Sequence, residues 1–417
     1  MKDQTQPRKV LILGGGYAGM ITAARIARGV RRARRARHAG VDVTLLDSKA
    51  DFVQRIRLHE VLAGREPAVL HTAPLLARRG VRFIEARVET LDPARRQVTA
   101  RTAGGERLAL DYDVAVLALG STTAAGEPGV AEHAVRLDDP PALRQAHGTL
   151  VRLAASAGQV LVAGGGLTGI ETAAEIAERF PALRITLATR GRVGDGYSRR
   201  GAEHLRHSLG ALGVTLKEDV EIREVLAGEA ALSTGDAVPF DLCFWCGGFA
   251  APPLLRESGL AVDAWGRVRV DAMLRAVGYP ELFAAGDSAA APGAGSPAIR
   301  MGCVSALPMG AHAGGNASRQ LLGHDELQPF DMAFQIRCIS LGRKDGLVQR
   351  VTADDTPLDK IWTGRRAALV KELICRSTLE TVRWELRTGW ELYRWPRPAA
   401  RIQSTRERTA GAAPPSR

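Results

Sequence analysis

Two glycine sets carry the most specific chemistry in this sequence, one at Gly14, Gly16 and Gly19 and the other at Gly164, Gly166 and Gly169. Both follow the spacing G-x-G-x-x-G. The first glycine of such a set turns the chain, the second lets a pyrophosphate approach the backbone, and the third lets a helix pack close to a strand. Free N–H groups at the helix start then meet the phosphates with a partial positive charge. An acid further on completes the fingerprint. Asp47 ends the β-branched run Val41–Asp47, where a carboxylate can hydrogen-bond a ribose hydroxyl. In the second set Arg190 takes that place, about 20 residues beyond the third glycine. An arginine there either pairs with a 2′-phosphate or points to solvent. On the first reading the second set prefers NADPH to NADH.

The elements needed to hold these groups can be read around them. Residues 10–13 form an apolar run of strand length, and a helix-periodic segment follows Gly19. Residues 81–110 alternate in short β-like pieces with turns, as an antiparallel meander would, and residues 112–120 read as a buried closing strand. A polar connector spans residues 122–141. The order then repeats: strand and glycine turn at 159–171, strand at 184–190, short strands at 214–238 and a closing strand at 240–248. One mononucleotide-binding pattern used twice is the simplest account. Residues 281–290 give another strand, and residues 306–322 a helix. Past residue 325 the composition changes, and four of the six tryptophans (Trp362, Trp384, Trp390, Trp395) lie there. Leu379, Val382, Leu386, Trp390 and Tyr393 recur at helix spacing among arginines. Such a helix either packs on the protein body or lies in a lipid interface. Residues 403–417 are polar and are expected to be a disordered tail.

The bulk properties narrow the class. A chain of 417 residues holds two or three domains, and its 45% apolar and 24% charged content is that of a globular protein. No apolar run is long enough to span a bilayer. With no apolar segment at the start and five cysteines without framework spacing, the expected location is cytoplasmic, with peripheral contact at the inner face of the membrane left open. The net charge is +12, and seven arginines between Arg25 and Arg37 account for much of it. No aromatic residue or binding motif accompanies that run, so it reads as a solvated extension of the first helix and not as a specific nucleic-acid contact. Cys243 and Cys246 lie inside the apolar closing strand, where their offset puts them on opposite faces, and are expected to be buried thiols. No metal site is expected.

With these pieces placed, the chain resembles the two-dinucleotide-binding-domain flavoproteins of the pyridine nucleotide–disulfide oxidoreductase superfamily, and within them the type II NADH dehydrogenase-like enzymes. The resemblance covers residues 8–320. It rests on the two glycine sets, Asp47, the Leu119-Gly120 strand end, Glu171, and the Phe283-Ala-Ala-Gly-Asp287 stretch. It implies an α/β fold with two Rossmann-like dinucleotide-binding domains of the glutathione reductase-like FAD/NAD(P) type and a C-terminal α+β region. Residues 1–145 and 272–324 would form a discontinuous FAD-binding domain and residues 146–271 an NAD(P)-binding domain. Residues 325–402 would form a C-terminal domain serving as an interface or a membrane-docking surface. FAD would be held by Gly14, Gly16, Tyr17, Ala18, Gly19, Asp47, Gly120, Gly286 and Asp287, with the Val88 backbone on adenine. The helix beginning near Ala306 would aim its positive end at the flavin pyrimidine. NADPH or NADH would be held by Gly164, Gly166, Leu167, Thr168, Gly169, Arg190 and Gly247. His59 and Glu60 fall where family members approach the flavin face, and Glu171 falls near nicotinamide and flavin; its other reading is an early-helix acid satisfying N–H groups.

The departures bound the activity. Residues 52–64 carry no cysteine where disulfide reductases of the superfamily have a C-x-x-x-x-C, so disulfide reduction of that kind is not expected. Residues 301–308 lack the glutamine of the quinone-reducing relatives. The reading is therefore an FAD-dependent oxidoreductase that takes hydride from NAD(P)H and passes electrons to a second acceptor: a quinone, a small metabolite or a redox protein. Two alternatives stay open. One is a sulfide:quinone-type oxidoreductase using Cys303 or Cys338. The other is a flavin-holding sensor that binds a partner without turnover. The sequence leaves the oligomeric state open, a homodimer included.

Overall fold

The computed structural model describes residues 7–35, 40–123, 126–293, 299–324 and 326–398; the expected disordered tail lies outside them. The apolar end of β1 (Arg8–Leu13) is buried and leads into α1 (Tyr17–Arg35). It is flanked by β2 (Val41–Asp47) on one side and β6 (Val114–Leu117) on the other, both parallel to it. Between β2 and β6 run β3 (Val81–Asp92), β4 (Gln97–Thr102) and β5 (Arg107–Asp111). The expected meander is an extension of the same sheet. The first half of β3 pairs parallel with β2, ending at Asp47 opposite Glu85, and the second half turns antiparallel to β4.

The second unit repeats the plan. It contains β7 (Ala134–Arg136), α2 (Pro140–Ala154), β8 (Gln159–Ala163), α3 (Leu167–Arg179), β9 (Arg184–Ala188), β10 (Thr215–Lys217) and β11 (Leu242–Trp245). Its sheet runs β10-β9-β8-β11-β7. In each unit the glycine-turn strand sits where strand order reverses, the place at which open α/β sheets bind ligands. The expected boundary between residues 145 and 146 falls inside α2, because β7 already pairs with β11 of the second sheet. The chain also returns to the first unit before residue 272, since Ala251, Leu255 and Leu260 lie in the first core. A short ribbon joins the units, with Thr122 and Thr123 antiparallel to Phe249 and Ala250. Then β12 (Arg275–Ala276) and β13 (Tyr279–Ala284) extend the first sheet to eight strands. Cys243, on β11, and Cys246, one residue past its end, are buried in different cores on opposite sides of the sheet, as their spacing implies.

The long helix α4 (Cys303–Leu321) begins three residues before the expected start and packs against α1. Small residues make that approach close. A Cβ at Gly310 would fall 2.3 Å from the Ala18 carbonyl oxygen, and the Thr22 hydroxyl donates to the Gly310 carbonyl at 2.9 Å.

The C-terminal region is an antiparallel sheet, β14 (Ile336–Leu341), β15 (Asp345–Val351) and β16 (Pro357–Thr363), followed by α5 (Gly364–Thr388). Ile339, Leu341 and Leu347 enter the second core, while Leu379, Val382 and Leu386 enter the first. The region thus bridges both units, and most of the expected apolar stripe faces inward. The helix stops at Gly389, which takes a left-handed φ of +73°. Trp390 and Tyr393 therefore lie beyond the helix, contrary to the spacing argument. The arginine run also differs from expectation at its start. Arg25 is buried, 2.8 Å from Glu385 and 3.0 Å from Glu391, and the Glu385 carboxylate accepts the Leu392 and Tyr393 N–H groups. Arg28 donates to the Gly389 carbonyl. These two arginines tie the last segment to α1. The side chains of Arg34, Arg35 and Arg37 lie outside the described residues.

Burial pushes the Glu385 carboxyl above its usual range despite Arg25. Arg25→Ala leaves that carboxylate buried and unpaired, so it is expected to cost about 3–5 kcal/mol at neutral pH. Protonation neutralises the orphaned acid, and the cost is expected to shrink as pH falls through the raised Glu385 pKa. Denaturant unfolding of both proteins at neutral and mildly acidic pH measures this.

Candidate active site

The two turns have the same internal geometry. In the first, a Cβ at Gly19 would fall 1.8 Å from the Gly14 carbonyl oxygen, and one at Gly14 would fall 2.2 Å from the Ala118 oxygen. In the second, a Cβ at Gly169 would fall 1.8 Å from the Gly164 oxygen, and one at Gly164 would meet the Cys246 and Gly247 backbone at 2.9–3.0 Å. Only glycine lets each helix start press against its strand so closely. Gly14 and Gly164 also hold φ at +106° and +115°, which other residues rarely adopt. The middle glycines, Gly16 and Gly166, instead face open space, with nothing within 4 Å of an added Cβ. That is the clearance a pyrophosphate requires.

Both helix starts open on one cavity of about 950 Å³, at the upper end for a cofactor pocket. Gly16, Tyr17 and Ala18 line it on one side, and Gly166, Leu167 and Thr168 on the other. Gly120, Gly286 and Asp287 also reach it. Asp287 is fixed at both oxygens: Gly302 N–H donates to one and the Ser121 hydroxyl to the other, each at 2.7 Å. It thereby ties the start of α4 to the loop after β6. Beneath the first turn, Asp47 accepts the Gly15 and Lys49 N–H groups, and burial raises its pKa. The open middle glycines, the cavity size and the anion-accepting helix starts fit two dinucleotides. Val88 lies outside the cavity, on β3 three residues past its last pairing with β2.

The match of Arg190 to Asp47 is off by one residue. Leu13 pairs with Leu46 in the first unit, and Ala163 pairs with Ala188 in the second, so Thr189 is the counterpart of Asp47. A Cβ at Gly15 would fall 2.9 Å from the Asp47 carboxylate, and one at Gly165 would fall 2.6 Å from the Thr189 hydroxyl. Arg190 comes next, with its side chain 84% exposed and 3.7 Å from Glu221. The longer α1 of the first unit, 19 residues against 13 in α3, obscures the count.

Glu171 and His59 meet in the cavity wall, and Glu60 does not join them. Glu171 sits on the second turn of α3, where its carboxylate satisfies no N–H of its own helix. It accepts the Ser340 N–H at 3.0 Å and the Ser340 hydroxyl at 3.1 Å, and it pairs with Lys371 at 3.1 Å. Burial alone would raise its pKa, but Lys371 foremost and then His59 bring it below the usual range. Burial likewise works against the Lys371 ammonium, yet Glu171 holds its pKa well above normal. The pair is therefore charged at neutral pH. His59 Nδ1 lies 3.9 Å from Glu171, and burial lowers the imidazole pKa. Its Nε2 is buried with no hydrogen-bond partner among the described residues. Glu60 turns away to Arg57 at 2.9 Å and Arg343 at 3.5 Å, as part of the ion pairs that brace the short helix Leu58–Val61. Lys371 carries no local signal in the sequence. It stands in an ordinary basic helix and reaches Glu171 only through the fold.

A family model described as pyridine nucleotide-disulphide oxidoreductase matches residues 8–302. The chain belongs to that family. It is 33% identical over 333 residues to an NADH dehydrogenase-like protein of Mycobacterium tuberculosis, covering 75% of this chain and 80% of that one. It is 25% identical to the type II NADH:quinone oxidoreductase of Staphylococcus aureus, over 88% of this chain and 94% of that one. Among solved structures, NDH2 from Plasmodium falciparum in complex with NADH superposes with a TM-score of 0.77 at 12% identity, covering 92% and 97% of the two chains. The sulfide:quinone oxidoreductase of Aquifex aeolicus superposes with a TM-score of 0.75 at 18% identity, covering 91% and 92%. With this membership the two-domain fold, the FAD and NAD(P)H cofactors and the oxidoreductase class stand.

Two glycine variants separate folding from cofactor binding. Gly16→Ala is expected to keep the melting temperature of the flavin-free wild type and lose most bound FAD, since its methyl group fills only the phosphate space. Gly19→Ala is expected to lower the melting temperature, because the methyl group collides with backbone. Thermal melts and flavin absorbance of the purified proteins measure both.

Proposed function

We propose that this protein oxidises NAD(P)H and passes the electrons to a quinone held against its C-terminal region. The observation that carries this reading is the third stretch of cavity wall. β14 and α5 contribute Ile336, Ile374 and Thr378 beside the buried Lys371–Glu171 pair, giving a mixed apolar and polar surface with a buried cation; Arg337 also reaches this wall, with its guanidinium 2.9 Å from Asp355. Bound flavin supplies the redox chemistry between the two substrates. The protein holds them in place and sets the local charge. Glu171 orients the Lys371 ammonium so that its remaining N–H groups are free to meet a carbonyl oxygen. His59 Nε2 adds a second polar atom in the same wall. These two groups take over the role for which residues 301–308 supply no glutamine. The similarity to a type II NADH:quinone oxidoreductase over 88% of the chain supports the reading.

Anaerobic stopped-flow measurement tests it. The flavin is expected to bleach with NAD(P)H and to recover with a soluble quinone. Glu171→Gln is expected to slow bleaching by about tenfold or more, and Lys371→Met to slow recovery more than bleaching. Recovery that is indifferent to quinone contradicts the proposal, and unchanged rates in both variants reduce the pair to a structural one. Cys303, Cys338 and Cys375 also line the cavity, which favours sulfide as an alternative donor. Burial pushes all three thiols up, Cys375 to about 12, so none is a ready thiolate. Bleaching by sulfide without NAD(P)H would select that second reading.

The outer face of the same region supports peripheral membrane contact. Among the described residues no helix is long and apolar enough to cross a membrane. Trp362, Leu369, Leu373 and Trp384 are each more than half exposed, with Arg365, Arg366 and Arg376 exposed among them. A basic, tryptophan-bearing apolar face suits an anionic lipid interface. Liposomes containing anionic lipid are expected to float the intact protein and to release the Leu369→Ser, Leu373→Ser double variant. Flotation equal for both, or for neither, contradicts the docking.

A further inference from the structure

We infer that the second glycine turn selects a dinucleotide bearing a 2′-phosphate, and that Thr189 sets the selection with Arg190 and Arg192 in support. This rests on the reading of that turn as the nicotinamide dinucleotide site. The internal repeat acts as a ruler. In the first unit the residue after the strand pair Leu13–Leu46 is Asp47, whose carboxylate accepts the Gly15 N–H. An acid so placed claims a ribose hydroxyl and repels a phosphate on it. In the second unit the corresponding residue is Thr189, with its hydroxyl beside Gly165. A hydroxyl in place of a carboxylate removes that repulsion. The threonine is also held firmly. Its N–H donates to the Lys217 carbonyl at 2.9 Å, and its own carbonyl accepts the Val220 N–H at 3.0 Å. A substitution there changes the side chain while the backbone stays pinned.

The cations follow at once. The Arg190 and Arg192 side chains are 84% and 65% exposed and lean on acids of the next loop, Glu221 at 3.7 Å and Asp219 at 3.4 Å. Exposed pairs of this kind hold weakly. A phosphate with two charges and several acceptor oxygens competes well for a guanidinium against a single solvated carboxylate. The arginines are therefore parked on Glu221 and Asp219 and available to the ligand.

Calorimetric titration of the FAD-loaded, full-length protein with 2′,5′-ADP and with 5′-ADP tests this without turnover. The wild type is expected to bind 2′,5′-ADP about tenfold tighter or more, with the preference shrinking as salt is added. Thr189→Asp is expected to remove the preference while keeping 5′-ADP binding, which also shows that the variant is folded. Arg190→Ala is expected to weaken 2′,5′-ADP alone. Equal or tighter binding of 5′-ADP by the wild type overturns the inference, as does an unchanged ratio in Thr189→Asp. If neither nucleotide binds, the second turn is not a dinucleotide site and the underlying reading falls with it.

Discussion

The molecule depends on one close contact made twice, a helix start pressed against the carbonyl of the glycine that ends the preceding strand. Gly19 lies on Gly14, and Gly169 on Gly164, with no room at either for a methyl group. The contact brings the free N–H groups of α1 and α3 to the ends of their sheets, where strand order reverses and the backbone is open. It also sets the aim of each helix, so that both starts face the same cavity. Two redox partners can then share one space, with the protein supplying alignment and charge.

The C-terminal region adds a third wall to that space. Its sheet packs on the second core and its helix on the first, and buried or part-buried ion pairs fix it, among them Arg25 with Glu385, Lys371 with Glu171, and Arg343 with Glu175. Each pair joins elements far apart in sequence. Buried charges of this sort add little net stability when both partners are present and are costly to break singly, so they act mainly to hold one arrangement. The Lys371–Glu171 pair has a second consequence, because it leaves a buried ammonium from the C-terminal region in the cavity wall.

The parts legible in the sequence were those written in short spacings. The glycine sets, the strand runs beside them and the buried Cys243 and Cys246 follow from periods of two and 3.6 residues, and the structure places them accordingly. What depends on distant partners was not legible. Arg25 looks like its solvated neighbours until Glu385 is seen across from it. Lys371 is one more base on a basic helix, and Glu60, adjacent to a cavity residue, turns to Arg57 instead. The register of Arg190 was hidden for a different reason. Counting along a strand of uncertain start gives an error of one, and the pairing of Ala163 with Ala188 puts Thr189, one residue before Arg190, in register with Asp47. The Gly389 stop was written in the sequence as a glycine after the last periodic residue, and the tryptophans beyond it disguised the helix end.

The claim that two dinucleotide cradles face one cavity is tested most directly by titrating flavin-free protein with FAD, then adding NADP⁺ after reduction, while recording absorbance. Each chain is expected to take up one FAD and one nicotinamide dinucleotide, with a long-wavelength charge-transfer band developing as the two rings come into contact. A chain that stays colourless with FAD, or that binds both without such a band, contradicts it.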